Sequence, residues 1–136
     1  MSIRLVSPIL ILLLLISACS SGPIRDMGLD KLSPRKAEKE LSAGLKSYEN
    51  GQYQAAAKYL QNALDSGLTF KSDRVTAHKY LAFVYCVSDR KKQCRAEFKE
   101  ALEINSDFEL SSAEAGHPLW GPVYREVKAE QRQKKK

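Results

Sequence analysis

A chain of 136 residues, 28% of them charged and with a formal charge of +6, has room for one small domain and one modest core. The basic excess gathers at Arg132, Lys134, Lys135 and Lys136, so residues 131–136 read as a tail, either solvated or touching an acidic partner or lipid headgroups. A basic chain would ordinarily suggest nucleic acid, but an export signal at the start of this one excludes it as a partner. That signal begins with Arg4 and continues through the apolar run from Ile9 to Ile16 into small residues. The run is too short to cross a hydrocarbon core, which takes about 20 apolar residues in a helix. Residues 1–18 therefore read as a cleaved signal peptide.

Ile16-Ser17-Ala18-Cys19 resembles the bacterial lipobox. The resemblance implies cleavage before Cys19, a diacylglycerol on its thiol and a further acyl chain on the freed amine. Two or more chains hold a protein on a bilayer where one does not. Lipoproteins retained at the inner membrane tend to carry aspartate after the cysteine, whereas this chain has Ser20. The implied location is the periplasmic face of the cell outer membrane, lipid-anchored. Residues 19–32, including Ser20-Ser21-Gly22-Pro23, show no periodicity and read as a flexible linker.

The folded part, residues 33–130, reads as all-α. Ser33-Pro34 is a helix start signal, because serine caps free amides and proline at the first helical position needs no donor. Ala37, Leu41, Gly44, Leu45 and Tyr48 recur at helical spacing until Asn50-Gly51 stops the helix. Tyr53, Ala56, Ala57, Leu60, Ala63 and Leu64 mark a second helix that ends near Ser66-Gly67. Two such helices joined by a glycine turn form an αα-hairpin. The pattern then repeats, with His78, Leu81, Ala82 and Tyr85 on one helix and Cys94, Phe98, Ala101, Leu102 and Ile104 on the next. Pro122 opens a terminal helix whose stripe of Trp120, Val123, Tyr124 and Val127 is expected to cap the array.

These hairpins resemble the tetratricopeptide repeat, whose period is about 34 residues. Small residues stand where paired helices approach, with Gly44 expected against Ala56 and Ala82 against Cys94. Ala63 and Ala101 are 38 positions apart, so extra residues fall between the hairpins, within Gly67 to Ser72. The closing proline of the repeat is absent, with Leu68 and Ser106 in its place. The resemblance implies a concave groove lined by Leu41, Leu45, Tyr48, Lys79, Phe83 and Val87. That mostly apolar groove is filled either by the chain's own terminal helix or by a partner segment. Only Lys79 matches the Lys and Asn set with which chaperone adaptors of this class hold a terminal carboxylate, so a clamp of that kind is not expected.

Cys86 and Cys94 are the two thiols left once Cys19 is set aside. One falls late on a helix and the other early on the next, and in an oxidising compartment they are either a disulfide across the turn or two small buried core residues. His78 reads as structural, and His117 as a backbone-bonding residue of a rigid connector. No further ligand residue accompanies either histidine at metal-binding spacing. There is no phosphate-cradling glycine loop and no nucleophile motif. The chain is expected to be no enzyme, with no metal, no cofactor and no small-molecule substrate.

The stretches Ala77 to Cys86 and Ala113 to Val123, with the connector His117-Pro118-Leu119-Trp120-Gly121-Pro122, resemble short tetratricopeptide lipoproteins associated with bacterial type VI secretion (the TssQ family). The resemblance implies a protein–protein interaction or assembly accessory of an envelope secretion complex, with a protein component of that complex as partner. The alternative is a pilotin-like chaperone lipoprotein that carries a subunit to the outer membrane.

Overall fold

The computed structural model describes residues 35–134. The leader, Cys19, the linker, Ser33 and Pro34 lie outside the described residues, as do Lys135 and Lys136. The fold is all-helical, in line with the sequence. The helices are α1 (Lys36–Glu49), α2 (Tyr53–Asp65), α3 (Lys71–Val87), α4 (Lys91–Ile104), a single turn α5 (Ser112–Ala115) and α6 (Gly121–Lys134).

Helix α1 starts at Lys36, with the extended Arg35 as its cap, two residues beyond the start signal read from Ser33-Pro34. Arg35 pairs with Glu38 in the first turn at 3.6 Å, where a carboxylate also complements the helix dipole. The face carrying Ala37, Leu41, Gly44 and Ser47 is buried against α2, whose Ala56, Leu60 and Ala63 are fully buried. The close approach at Gly44 is to Leu60 rather than to Ala56. A Cβ built on Gly44 would lie 2.7 Å from Leu60 Cγ, so the helices cross one turn further from the loop than the repeat pattern implied.

The turns of the two pairs are built alike. In the first, Gly51 takes φ 71° while the amides of Asn50, Gly51 and Gln52 donate to Lys46, Tyr48 and Ser47 carbonyls. In the second, Asp89 takes φ 55° and the amides of Ser88, Asp89 and Arg90 donate to Val84, Cys86 and Tyr85. Each bond of one turn has its counterpart in the other at the same sequence offset. A left-handed residue satisfies the last carbonyls of a helix and reverses the chain, and aspartate is among the few non-glycine residues that tolerate it.

Between the pairs, Gly67 (φ 82°) ends the α2 segment and Leu68 turns inward to a buried position, so the extra residues form a plugged loop and α3 already begins at Lys71. Helix α3 is central. It packs on α1, α2 and α4 and buries Val75, Ala77, Leu81, Ala82, Phe83, Val84 and Cys86, which is why its apolar residues encircle it instead of forming one stripe. One cluster joins Leu41, Leu60, Leu68 and Leu81; the other joins Phe83, Phe98, Leu102, Phe108, Trp120, Tyr124 and Val127. Tyr80 and Tyr85 touch both.

Helix α6 packs against α4. It runs on to Lys134, so residues 131–134 are helix and not tail. Gln131 donates to the Leu102 carbonyl at 2.9 Å and Arg132 lies 3.9 Å from Glu109, which ties this last turn to the end of α4 and its loop. Outward positions on both terminal helices are polar: Lys36, Lys39, Ser42 and Lys46 on α1, and Arg125, Glu126 and Glu130 on α6.

Candidate functional site

Helices α1 and α3 are in contact, and the six groove residues divide between the two core clusters: Leu41 and Leu45 belong to the first, Tyr48, Phe83 and Val87 to the second, and Lys79 to neither. Of these, Leu41 is buried and Phe83 is 2% exposed, while Leu45, Tyr48, Lys79 and Val87 are half-buried. An open apolar groove is therefore not what the second hairpin presents. A chain of rings joins the helices: Tyr53 to Tyr48 at 5.7 Å, Tyr48 edge-on to Tyr80 at 4.9 Å, and Tyr80 to Phe83 at 5.6 Å. Such edge-to-face pairs stabilise by about 0.5–1.5 kcal/mol beyond the area they bury.

The chain itself covers Phe83, but with the connector before α6 and not with the helix. Trp120 stacks on Phe83 with ring centres 4.3 Å apart and planes 23° off parallel, and His117 stacks on the other side of Trp120 at 3.3 Å. Helix α6 is held one layer away, against α4, by Tyr124 on Phe98 and by buried Val127, with Val123 half-buried beside them. The divided stripe follows from geometry. Trp120 precedes the helix and is not bound by its rotation, so the ring and the helix face reach different neighbours.

Three polar contacts lock the connector in place. Lys79 Nζ meets Glu114 Oε1 at 2.6 Å, Trp120 Nε1 donates to the Glu114 carbonyl at 2.9 Å, and Arg125 donates to the Ala115 carbonyl at 3.1 Å. Ser111 and Glu114 form a reciprocal capping box on α5, each accepting from the other's amide. That Ser-x-x-Glu spacing was visible in the sequence and marked both this helical turn and Glu114, which sequence reasoning passed over. Burial alone would raise the Glu114 carboxyl. The hydrogen bonds from Lys79 and Ser111 outweigh it and hold the group below the ordinary carboxylate range. The Tyr48 hydroxyl is pushed up to about 12 by burial, with Tyr53, Tyr80 and Glu114 adding to it, so it stays a neutral donor.

A second lock holds the loop after α4. The Phe108 carbonyl accepts from Tyr124 Oη and from Lys128 Nζ, both at 2.7 Å, and Glu109 pairs with Lys128. Lys128 is buried yet fully engaged, as a buried ammonium must be. His78 pairs with Glu97 at 2.7 Å between α3 and α4, and His117 Nδ1 accepts the Leu119 amide at 3.3 Å.

The chain matches no protein-family model, no curated protein and no solved structure. Its candidate site therefore rests on geometry: a ring-lined face, one lysine already holding a carboxylate, and a connector bound across half of it.

Cys86 and Cys94 are joined in a disulfide with Cα atoms 5.2 Å apart. By the repeat offset they stand where the first pair has Tyr48 and Ala56, while Val87, read as a groove residue, aligns with Glu49 and lies at the turn end of α3. Closing so short a loop restricts the unfolded chain by about 2–3 kcal/mol. Reduction is expected to lower the urea midpoint accordingly while leaving the far-ultraviolet helix signal in place at low urea, and equal midpoints with and without reductant would remove the staple from the account.

Proposed function

We propose that this protein is an outer-membrane lipoprotein with a tetratricopeptide-like domain that serves, on the periplasmic side, as an assembly accessory of an envelope secretion complex of the type VI class. The observation that carries the reading is the repetition of one hydrogen-bonded hairpin turn at a constant offset, with Gly44 and Ala82, Leu60 and Phe98, and Ala63 and Ala101 in equivalent places. Repeats of that kind stack to present a face to other proteins. The lipobox at Cys19 and the serine at position 20 support the anchor and its destination. The polar outer faces of α1 and α6 favour a closed module that presents its side and not its ends.

The test is genetic and biochemical. Cys19→Ala is expected to move the protein from the outer-membrane fraction to the soluble periplasm and to leave a deletion strain unable to complete the secretion complex. Ser20→Asp is expected to move it to the inner membrane with the same loss. Wild-type secretion and outer-membrane fractionation in the Cys19→Ala strain would refute the proposal.

A further inference from the structure

The connector covers only the C-terminal half of the α3 face. Toward the start of the same helix an open cleft of about 540 Å³ runs between α3 and the segment that follows α4. That volume is within the usual range for ligand-binding clefts. Val75 and Phe108 form its buried floor with Ile104 beside them, and Lys71, Thr76 and Lys79 stand on the α3 side. Positions 71, 75 and 79, followed by Phe83, make one continuous stripe at helical spacing.

Resting on the protein-interaction reading above, we infer that this cleft receives an extended, carboxylate-bearing segment of the partner protein, with an apolar side chain over Val75, Ile104 and Phe108 and an acid at Lys71, the cleft lysine that Glu114 leaves free to pair. Charge selects this occupant. Among the described residues the charged ones lining the cleft are Lys71, which is exposed, and Lys79, which Glu114 already holds; the nearby Asp107 lines a different opening. At the start of α3 the cap residue Phe70 makes no side-chain hydrogen bond to the first-turn amides, and Asp73 in that turn already complements the helix dipole, so the selecting charge at the cleft is Lys71. The Phe70 ring is 63% exposed at the same end and offers a further apolar contact.

The chain also displays the chemistry in miniature. Along the next two turns of the stripe its own connector places a carboxylate, Glu114, on Lys79 and a flat ring, Trp120, on Phe83. The partner segment extends that pairing toward the start of α3. An extended segment with an acid beside an apolar residue meets Lys71 and the floor together, whereas a basic segment would be repelled by Lys71.

Photocrosslinking of the full-length acylated protein in cells tests the assignment. A benzophenone amino acid at exposed Ser72, at the cleft, is compared with the same group at Ser42 on α1 and Glu100 on α4. The expected result is an adduct at position 72 whose partner peptide, read by mass spectrometry, carries Asp or Glu beside an apolar residue. Lys71→Glu, an exposed change, is expected to lower that adduct about tenfold, and reversing the partner's carboxylate to lysine is expected to restore it. A lipid adduct, a second copy of this chain, a basic partner segment, or no effect of Lys71→Glu would overturn the assignment. Protein adducts at Ser42 or Glu100 with none at Ser72 would sink the cleft and leave the interaction reading standing. No protein adduct at any of the three would sink both.

Discussion

Trp120→Ala is expected to destabilise the domain by about 3–5 kcal/mol, the usual cost of truncating a large buried aromatic. The ring is 7% exposed, lies between Phe83 and His117, and donates to the Glu114 carbonyl. Its loss takes one of two donors from that carbonyl, which the His117 amide still meets at 3.2 Å, uncovers Phe83 and removes one of the contacts that keep Glu114 over Lys79. For a domain whose total stability is on the order of 5–15 kcal/mol, that is a large share. Thermal unfolding should show it directly, since each kcal/mol moves the midpoint of a domain this size by about 4–8 °C. Trp120→Phe keeps the stack and loses only the N–H, so it is expected to cost about 1 kcal/mol. If the alanine and phenylalanine variants melted together, the stack on Phe83 would not be what holds the connector.

Phe98→Ala is expected to cost about as much, ~3–5 kcal/mol, by a different route. Phe98 is fully buried on α4, 6.1 Å from Phe83 on one side and 5.4 Å from Tyr124 of α6 on the other. It therefore joins the second hairpin to the terminal helix, and its removal opens a cavity beneath both. Urea denaturation of the single and double variants makes the prediction specific. Because Trp120 and Phe98 share Phe83 as a neighbour, the double variant is expected to depart from additivity by about 0.5–3 kcal/mol. Simple additivity would mean the two rings act on separate parts of the core.

The two losses bear differently on function. Phe98 lies beneath the surface and acts only through stability. Trp120 sits on the ring-lined face and also sets what that face presents, because its removal frees Lys79 and exposes Phe83 beside the cleft. A Trp120 variant that remains folded at low temperature is therefore the one in which the proposed partner contacts along α3 should change.

Most of the fold was legible along the chain because its determinants are local. Alternation at helical spacing located α1 to α4 and α6, and Asn50-Gly51 and Ser66-Gly67 marked chain reversals that the structure makes with left-handed glycines. The buried Ala56 and Ala82 were readable as close-packing positions, and Ala63 and Ala101 as members of apolar helix faces. Misreadings fell where local signals compete with distant ones. Gly44 was matched to Ala56 on sequence pattern, whereas Leu60 fills the space because the crossing point depends on the packing of both helices. The terminal basic residues looked like tail until Gln131 and Arg132 found partners around Leu102 and Glu109 and extended the helix to Lys134.

What the sequence determined by itself was thus a set of amphipathic helices and the turns between them, since each depends on residues within a few positions of one another. Tertiary structure alone decided which of these pieces covers which. Trp120 reaches Phe83, Glu114 reaches Lys79, and Lys128 reaches the Phe108 carbonyl across 37, 35 and 20 positions of chain. Nothing in the spacing of an irregular connector encodes such contacts. They form because the packed helices leave one apolar ring and one lysine at the right distance, and they leave open the lysine-flanked cleft at the other end of the same helix.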